Sequence, residues 1–320
     1  MSTTRRDHGG GIDAAIATYG GTRSDWLDLS TGINPVAYPL PDIAPSDWTA
    51  LPDSSAMADL LSAARIFWSV PDEADILAAP GASALIARIP ALRPAGKVQI
   101  TTKTYNEHAA AFRAAGWHIT DQDAPAKVIV HPNNPDGRLW SGAANGPSDK
   151  SLLVIDESFC DVTPAHSHID KSLTPGVILL KSFGKFWGLA GARLGFAIGL
   201  PETLAPLKDM LGPWAVAGPT LRIGTAALND QTWANETRSR LTQDAARLDQ
   251  MIAATGAKPI GGTSLFRLYD TPDAAAFQTH LAQRQILSRI FPYSKTWLRL
   301  GLPGVETDWQ KLKTALAEIS

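Results

Sequence analysis

The sequence has little cysteine and no long uninterrupted apolar run. Its single cysteine, Cys160, excludes a disulfide within the chain, as is typical of proteins in a reducing compartment. The longest apolar stretches are broken early, because residues 186–200 contain Arg193 and residues 177–180 run into Lys181. A helix that spans a bilayer needs about 20 apolar residues. We therefore expect a soluble protein without a membrane partner.

The sequence also lacks a basic block, an internal repeat and an apolar signal segment. The formal net charge is -2, which gives no electrostatic reason to expect nucleic acid as a partner. Residues 1–11 are polar and do not contain the apolar core of a secretory signal. His166 and His168 have no third ligand nearby in the sequence, so no metal site is predicted. These features predict a cytoplasmic protein.

The composition of the 320 residues, 44% apolar and 19% charged, is that of a folded chain with one large and one smaller domain. Short apolar runs alternate with alanine-rich stretches that favour helices, at residues 83–89 and 107–115. This alternation indicates an α/β domain with a mostly parallel sheet that is buried on both faces. The strands are predicted at residues 76–79, 98–101, 127–130, 152–156, 177–181 and 194–198.

After Pro201 the pattern changes to that of a smaller α+β domain. The proline-rich residues 34–52 are expected to form an extended arm. We predict an N-terminal arm at 1–45 that contributes to the active site, a large domain at 46–205 and a small C-terminal domain at 206–320. In the last of these we expect helices at 231–254 and 273–284 and strands at 264–269, 286–290 and 297–300.

Lys185 follows a predicted strand and is flanked by aromatic residues, among them Phe186 and Trp187. Apolar surroundings disfavour the ammonium form, and the neutral amine is a nucleophile that condenses with aldehydes. An ordinary surface lysine is the alternative interpretation of this residue taken alone.

Three further strand ends carry polar groups, and the carboxyl ends of strands are where open α/β sheets bind ligands. Asp156 closes an apolar strand, where a carboxylate requires a cationic partner such as a protonated ring nitrogen. Gly81, Ala82 and Ser83 precede an apolar helix and are suited to bind an anion. Asn134 lies in a proline-rich turn that can direct its amide. The alternatives are a helix N-cap or a structural salt bridge for Asp156, an ordinary serine N-cap for Ser83 and a surface turn for Asn134.

Together with Ser182 and with Arg193, eight residues beyond Lys185, these motifs resemble the fold type I pyridoxal-phosphate (PLP) superfamily, specifically the class I/II aminotransferases. The resemblance implies that Lys185 carries PLP as a Schiff base and moves protons. It implies that Asp156 pairs with the pyridine nitrogen, that Asn134 binds the ring hydroxyl oxygen and that Tyr105 stacks on the ring. The implied cofactor-binding residues are Gly81, Ala82, Ser83, Tyr105, Asn134, Asp156, Ser182, Lys185 and Arg193.

Within that superfamily the N-terminal part, with His8 followed by two glycines and Asn34 followed by Pro35, resembles the L-threonine-O-3-phosphate decarboxylase family of cobalamin synthesis. So does Phe159, where transaminases of the histidinol-phosphate type usually have a tyrosine. The resemblance implies loss of CO2 from O-phospho-L-threonine, a small phosphorylated amino acid, to give (R)-1-amino-2-propanol O-2-phosphate.

The same resemblance implies a substrate site and a homodimer. Arg299 is the residue expected to grip the substrate carboxylate as a bidentate fork. Leu51 stands where relatives have a tyrosine that reaches the neighbouring subunit's cofactor, so that contact is lost here. The residues expected to bind substrate are His8, Asn34, Asn134, Arg289 and Arg299.

Two other functions are compatible with the cofactor residues. A histidinol-phosphate-type aminotransferase would share nearly all of them, because the choice of reaction depends on how the substrate is oriented. A non-catalytic PLP-binding module is a third possibility. Regulators of this fold carry an added DNA-binding domain, for which this sequence has no spare basic segment.

Overall fold

The computed structural model describes residues 8–141 and 151–319. Within these ranges no helix combines the length and the apolar character that crossing a bilayer requires. The helices are α1 Ile12–Tyr19, α2 Pro45–Thr49, α3 Ser54–Trp68, α4 Ala82–Arg88, α5 Asn106–Ala114, α6 Phe183–Phe186, α7 Pro201–Leu211, α8 Gly218–Asn229, α9 Gln231–Ala253, α10 Ala274–Ala282 and α11 Glu306–Ala317. The strands are β1 Leu27–Asp28, β2 Asp75–Ala79, β3 Lys97–Ile100, β4 His118–Thr120, β5 Ala126–Val130, β6 Leu152–Asp156, β7 Val177–Ser182, β8 Gly195–Gly199, β9 Lys258–Thr263, β10 Phe266–Asp270, β11 Ile286–Leu287, β12 Arg289–Phe291 and β13 Ser294–Gly301.

The chain forms two compact units, and the larger one, Ala37–Thr237, is built on a seven-stranded sheet. Its strand order is β2-β8-β7-β6-β5-β3-β4. The five strands from β7 to β4 are parallel, whereas β8 is antiparallel to both of its neighbours. This arrangement confirms the predicted mostly parallel mixed sheet.

All six strands predicted for the large domain are present, with ends displaced by at most one residue. They were recognisable because they are apolar on both faces: all five residues of β6 and the first five of β7 are buried. The edge strand β4 was not predicted, since it has three residues and begins with the exposed His118.

The smaller unit combines the chain up to Val36 with the chain from Arg238 onwards. It contains a four-stranded antiparallel sheet of order β12-β13-β10-β9 and a short parallel pair, β1 and β11. This combination of helices and an antiparallel sheet is the α+β arrangement expected after Pro201. The two-residue β1 and the exposed β9 carry no clear apolar alternation and were not predicted.

The boundaries of the units differ from the predicted domain ends at 45/46 and 205/206. Helices α7 and α8 belong to the larger unit, because α7 packs on β7 and β8 and α8 packs against α3. A side chain at Gly224 in α8 would lie only 2.7 Å from Leu60 and Leu194, so this packing is close. The assignment of three segments to an arm and two domains stays a prediction.

The expected extended arm at residues 34–52 is wrong for Pro45–Thr49, which forms helix α2. Proline at the first helical position has the right backbone angle and has no N–H to leave unsatisfied. Asp47 accepts a hydrogen bond from the backbone N–H of Ala44 and closes the first turn. Proline-rich composition predicts an extended segment, but Pro45 starts a helix here.

A buried ion pair joins β7 to the end of β6. Lys181 Nζ lies 2.6 Å from Glu157 Oε2, and the two residues are only 2% and 1% exposed. Burial opposes both charges, but their mutual attraction and hydrogen bonding raise the pKa of Lys181 and lower that of Glu157. Glu157 also accepts hydrogen bonds from Ser167 Oγ and the backbone N–H of His168. The pair is therefore ionised and depends on both partners.

We expect Lys181→Met to lower the free energy of unfolding by about 3–5 kcal/mol, because it leaves the Glu157 carboxylate buried without its cation. The double variant Lys181→Met/Glu157→Leu should recover most of that loss. Urea denaturation of both variants measures this, with the more exposed Lys171→Met as a control. If the double variant were as unstable as Lys181→Met, the loss of stability would not come from the unpaired Glu157 carboxylate.

Candidate active site

The carboxyl ends of the central strands surround a cavity with about 620 Å³ of empty space, within the larger unit. Every residue predicted to bind the cofactor lines it, although most of them are far apart in the sequence. Ser158, Phe159 and Gly184 also line it, which the sequence motifs did not indicate as cofactor contacts. The lining residues are Gly81, Ala82, Ser83, Ile86, Tyr105, Val130, Asn134, Asp156, Ser158, Phe159, Ser182, Gly184, Lys185, Ala190, Arg193 and Leu194.

Asp156, the last residue of β6, is 2% exposed and is held by three hydrogen bonds. His108 Nε2 lies 2.8 Å from Oδ2, and Ser158 donates to Oδ1 from its backbone N–H at 3.0 Å and its hydroxyl at 2.5 Å. Burial alone would raise the pKa of Asp156, but the interactions with His108 and Ser158 outweigh it and lower the pKa. The cavity thus contains a carboxylate that stays ionised at neutral pH.

Sequence analysis did not find His108, which is 1% exposed on α5. The available signal was its spacing, because it follows Tyr105 by three residues and so lies about one helical turn further along. Tyr105 itself is the residue just before the first residue of α5, and its ring centroid lies 6.0 Å from that of His108. Burial and the nearby Asp156 raise the pKa of Tyr105 to about 12, so its phenol is neutral.

A second part of the cavity is shaped by close backbone approaches. Gly81 has φ +84, and a Cβ there would lie 2.6 Å from Arg193 Nη2. A Cβ at Gly195 would lie 2.2 Å from the backbone N of Ala82. Arg193 adopts the left-handed conformation, with φ 51, which is uncommon for a residue other than glycine. The Arg193 guanidinium therefore lies directly against the backbone of Gly81, where the missing side chain leaves space beside it.

Lys185 lies in α6, which aromatic side chains hold in place. Phe183 stacks on Trp187 with ring centroids 5.4 Å apart, and both rings are buried. A Cβ at Gly184 would approach Ala190 Cα to 2.9 Å, so α6 packs tightly on the next turn. The Lys185 ammonium nitrogen lies 5.6 Å from the centre of the Phe159 ring, inside the cavity.

The residues present fit PLP. The cofactor has a basic ring nitrogen, a ring hydroxyl, an aldehyde and a phosphate, which require an anion, a polar donor, an amine and an anion-binding pocket. The cavity offers Asp156, Asn134, Lys185 and the space beside Arg193 and Gly81.

The residues predicted to bind substrate, apart from Asn134, lie in the smaller unit. His8 and Arg289 line one cavity with about 780 Å³ of empty space, together with Ser30. Arg299 is 6% exposed and donates from Nη2 to the Ser30 carbonyl oxygen at 2.6 Å. A Cβ at Gly9 would lie 2.4 Å from that same oxygen, which explains the glycine after His8.

Asn34 is 2% exposed, and its side-chain oxygen is engaged within the smaller unit. It accepts hydrogen bonds from Arg240 Nη2 at 2.6 Å and from the backbone N–H of Val36 at 3.1 Å. Arg240 also pairs with Asp244 at 2.8 Å. Asn34 thus helps to orient Arg240, a residue that the sequence analysis did not single out, and its contact with substrate stays a prediction.

Comparison with known proteins identifies related chains. The family model of aminotransferase class I and II matches residues 118–319. A threonine-phosphate decarboxylase of a Sinorhizobium species is 40% identical over 328 residues, which cover 98% of this chain and 98% of that protein. A threonine-phosphate decarboxylase of Pseudomonas aeruginosa is 39% identical, with 97% of each chain covered.

Among solved structures, the histidinol-phosphate aminotransferase from Sinorhizobium meliloti in complex with pyridoxal-5'-phosphate superposes with a TM-score of 0.80. The match covers 97% of this chain and 94% of that one, at 20% sequence identity. A likeness at this identity shows a shared fold. It confirms the predicted fold type.

We expect His108→Phe to alter how stability depends on pH. In the folded wild type the pKa of Asp156 is below the value of about 3.8 that it has in the unfolded chain. The ionised carboxylate therefore stabilises the fold at pH values above 3.8, and this stabilisation is lost as pH falls through the pKa of the folded state. Without His108, burial should raise the Asp156 pKa, so the variant should lose stability as pH rises from about 4 to 7. Urea denaturation at both ends of this range measures the difference.

His118→Phe is the matched control for this experiment, since His118 is exposed on β4. It should leave the pH dependence as in the wild type. Parallel pH profiles for the wild type and His108→Phe would contradict the role assigned to the His108–Asp156 hydrogen bond.

Proposed function

This chain belongs to the aminotransferase class I and II family, and we propose that it is a PLP-dependent enzyme that decarboxylates O-phospho-L-threonine. The products are CO2 and (R)-1-amino-2-propanol O-2-phosphate, and the reaction is a step of cobalamin biosynthesis. The observation that carries this proposal is the 40% identity, over 98% of both chains, with a protein named threonine-phosphate decarboxylase. The cavity at the strand ends supports it, because its residues match the groups of the cofactor.

When bound, PLP supplies an electron-withdrawing ring that weakens the bonds at the substrate Cα. We assign the Asp156 carboxylate to the ring nitrogen, where its ionised state at neutral pH favours a protonated ring. Asn134 is assigned to the ring hydroxyl oxygen and Tyr105 to the ring face. The residues assigned to the phosphate are Gly81, Ala82, Ser83, Ser182 and Arg193.

Lys185 is assigned two tasks, which are to hold the cofactor through its ε-amine and to move a proton. Decarboxylation breaks the bond between Cα and the carboxylate, and the electron pair left on Cα takes up a proton. Lys185 Nζ is the group that delivers it, because it lies in the cavity beside the aromatic face of Phe159. Phe159 cannot donate a hydrogen bond to the cofactor, as a tyrosine there would.

The substrate carries two anions, and holding both decides which Cα bond breaks. A decarboxylase would have to orient the substrate so that the bond from Cα to the carboxylate, and not the Cα–H bond, is the one that is weakened. We assign Arg299 to the carboxylate as a bidentate fork. Arg289, His8, Asn34 and Asn134 are the candidates for further substrate contacts. The shared cavity of His8 and Arg289 supports a role for both in binding an anion.

A histidinol-phosphate-type aminotransferase is the alternative activity, because it would use the same cofactor residues. The solved aminotransferase at 20% identity supports the shared fold and does not favour this activity over decarboxylation. The relatives near 40% identity favour decarboxylation.

We further propose a cytoplasmic homodimer. Leu40, Trp48 and Leu51 are 63%, 71% and 65% exposed, and large apolar side chains at one segment of the surface are typical of an interface. With Leu51 in place of the tyrosine of related proteins, this position would contribute packing, and no hydroxyl, to a neighbouring subunit.

We expect the purified, PLP-loaded protein to release CO2 from O-phospho-L-threonine without any keto acid. Decarboxylation leaves the cofactor in its aldehyde form, whereas transamination converts it to the amine form, so CO2 detection and cofactor absorbance should be recorded together. L-threonine and histidinol phosphate are the comparison substrates. Conversion of the cofactor by histidinol phosphate, with no CO2 from O-phospho-L-threonine, would establish the alternative.

We expect Lys185→Ala to lower kcat by roughly 10²–10⁴-fold or more, since it removes the group that moves the proton. Borohydride treatment should attach the cofactor to the wild-type chain at Lys185, as measured by mass spectrometry of the peptides, and should attach none to the variant. Lys208→Ala, an exposed change on α7, is the control and should behave as the wild type. Full activity in Lys185→Ala would refute the assignment.

A further inference from the structure

Asn133 precedes the cavity residue Asn134, and its side chain is only 1% exposed. Its Oδ1 accepts a hydrogen bond from Thr104 Oγ1 at 2.6 Å. Its Nδ2 donates to the Lys103 carbonyl oxygen at 3.2 Å and to Asp136 Oδ1 at 2.8 Å. One buried amide therefore joins two loops that are separate in the sequence.

The chemistry at this position requires an amide. Nδ2 faces two acceptors, a carbonyl and a carboxylate, while Oδ1 faces a hydroxyl donor. A carboxylate in its place would have no hydrogens to donate and would lie against the Asp136 carboxylate. An apolar side chain would leave the Lys103 carbonyl and the Asp136 carboxylate without this donor.

Each of the two loops delivers one side chain to the cavity. Thr104 directly precedes Tyr105, which is the residue just before α5 and lines the cavity. Asn134 directly follows Asn133 and lines the same cavity. Lys103 is in the left-handed backbone conformation, with φ 60, which is strained for a residue other than glycine. The Asn133 amide donates to its carbonyl oxygen and so stabilises this conformation.

We propose that Asn133 is a positioning residue that fixes Tyr105 and Asn134 relative to each other, and so sets how the cofactor ring and its hydroxyl oxygen are held. This inference rests on the proposed function, because it assumes that both residues contact PLP. Asn133 reaches the cofactor only through them. Its contribution is to preorganise two contacts through a single amide.

The turn that contains Asn133 has its own backbone closure. The backbone N–H of Asn133 donates to the Arg138 carbonyl at 2.9 Å, and the N–H of Gly137 donates to the Asn133 carbonyl at 2.7 Å. Asp136 Oδ1 also accepts from the Arg138 N–H at 3.0 Å. Asn133→Ala therefore removes the bonds to Lys103 and Thr104, and Asn133→Asp removes the donor to Lys103 and Asp136, while both leave the backbone bonds of the turn in place.

The test uses Asn133→Asp and Asn133→Ala in the PLP-loaded protein. Both should weaken PLP binding by roughly ten-fold or more, since Tyr105 and Asn134 lose the amide that holds their two loops together. Both should also shift the pKa of the cofactor–Lys185 linkage, read from absorbance against pH without substrate. Asn229→Asp, the same chemical change at the exposed end of α8, should alter neither quantity.

Variants of Thr104 keep the test informative if the Asn133 variants fold poorly. Thr104→Val should shift the linkage pKa in the same direction as Asn133→Ala, and Thr104→Ser, which keeps the hydroxyl, should restore the wild-type value. The double variant Asn133→Ala/Thr104→Val should be no worse than Asn133→Ala, because both changes break the same bond.

Unchanged PLP affinity and linkage pKa in both the Asn133 and the Thr104 variants would overturn the inference, as would equal shifts in Thr104→Ser and Thr104→Val. Measurements on the wild type distinguish a failure of the proposed function from a failure of this inference. A wild type that binds PLP at Lys185 but releases no CO2 refutes the substrate and leaves this test valid. A wild type that binds no PLP refutes both.

Discussion

The site depends on keeping one carboxylate ionised where a buried strand ends. Asp156 is desolvated by the sheet around it, and that cost is offset by His108 on α5 and by Ser158 in the turn after β6. Three elements must therefore meet at one point before the carboxylate can remain charged. A cationic ring nitrogen bound there would meet an anion that the protein has already stabilised.

The next residue, Glu157, is also a buried carboxylate that other side chains keep ionised. Glu157 is as deeply buried as Asp156, and it pairs with Lys181 from β7. Successive residues at a strand end point to opposite faces, so one acidic pair serves the cavity with Asp156 and anchors the strands with Glu157. Lys181 lies four residues before Lys185, so the Lys181–Glu157 ion pair anchors the start of the segment that carries Lys185.

Similarity to a solved structure and similarity to full-length relatives say different things about this protein: the first concerns its fold and the second its reaction. Superposition on an aminotransferase at 20% identity shows which fold positions these residues. Identity near 40% along nearly the whole chain bears on which reaction that fold performs. This fold permits several reactions, so the residues proposed to bind the substrate anions, His8, Arg289 and Arg299, are expected to distinguish a decarboxylase from a transaminase.

The apolar runs of the sequence are enough to locate the strands of the large sheet, because residues buried on both faces form such runs. They also locate the polar groups at or just beyond the strand ends, such as Asp156 and Lys185. Which distant side chains form hydrogen bonds with each other follows only from the folded structure. His108 is 48 positions from Asp156, Asn133 is 29 from Thr104, and Arg240 is 206 from Asn34. Periodicity records whether a residue is buried, whereas a hydrogen bond between distant residues exists only once the chain has folded and brought its two partners together.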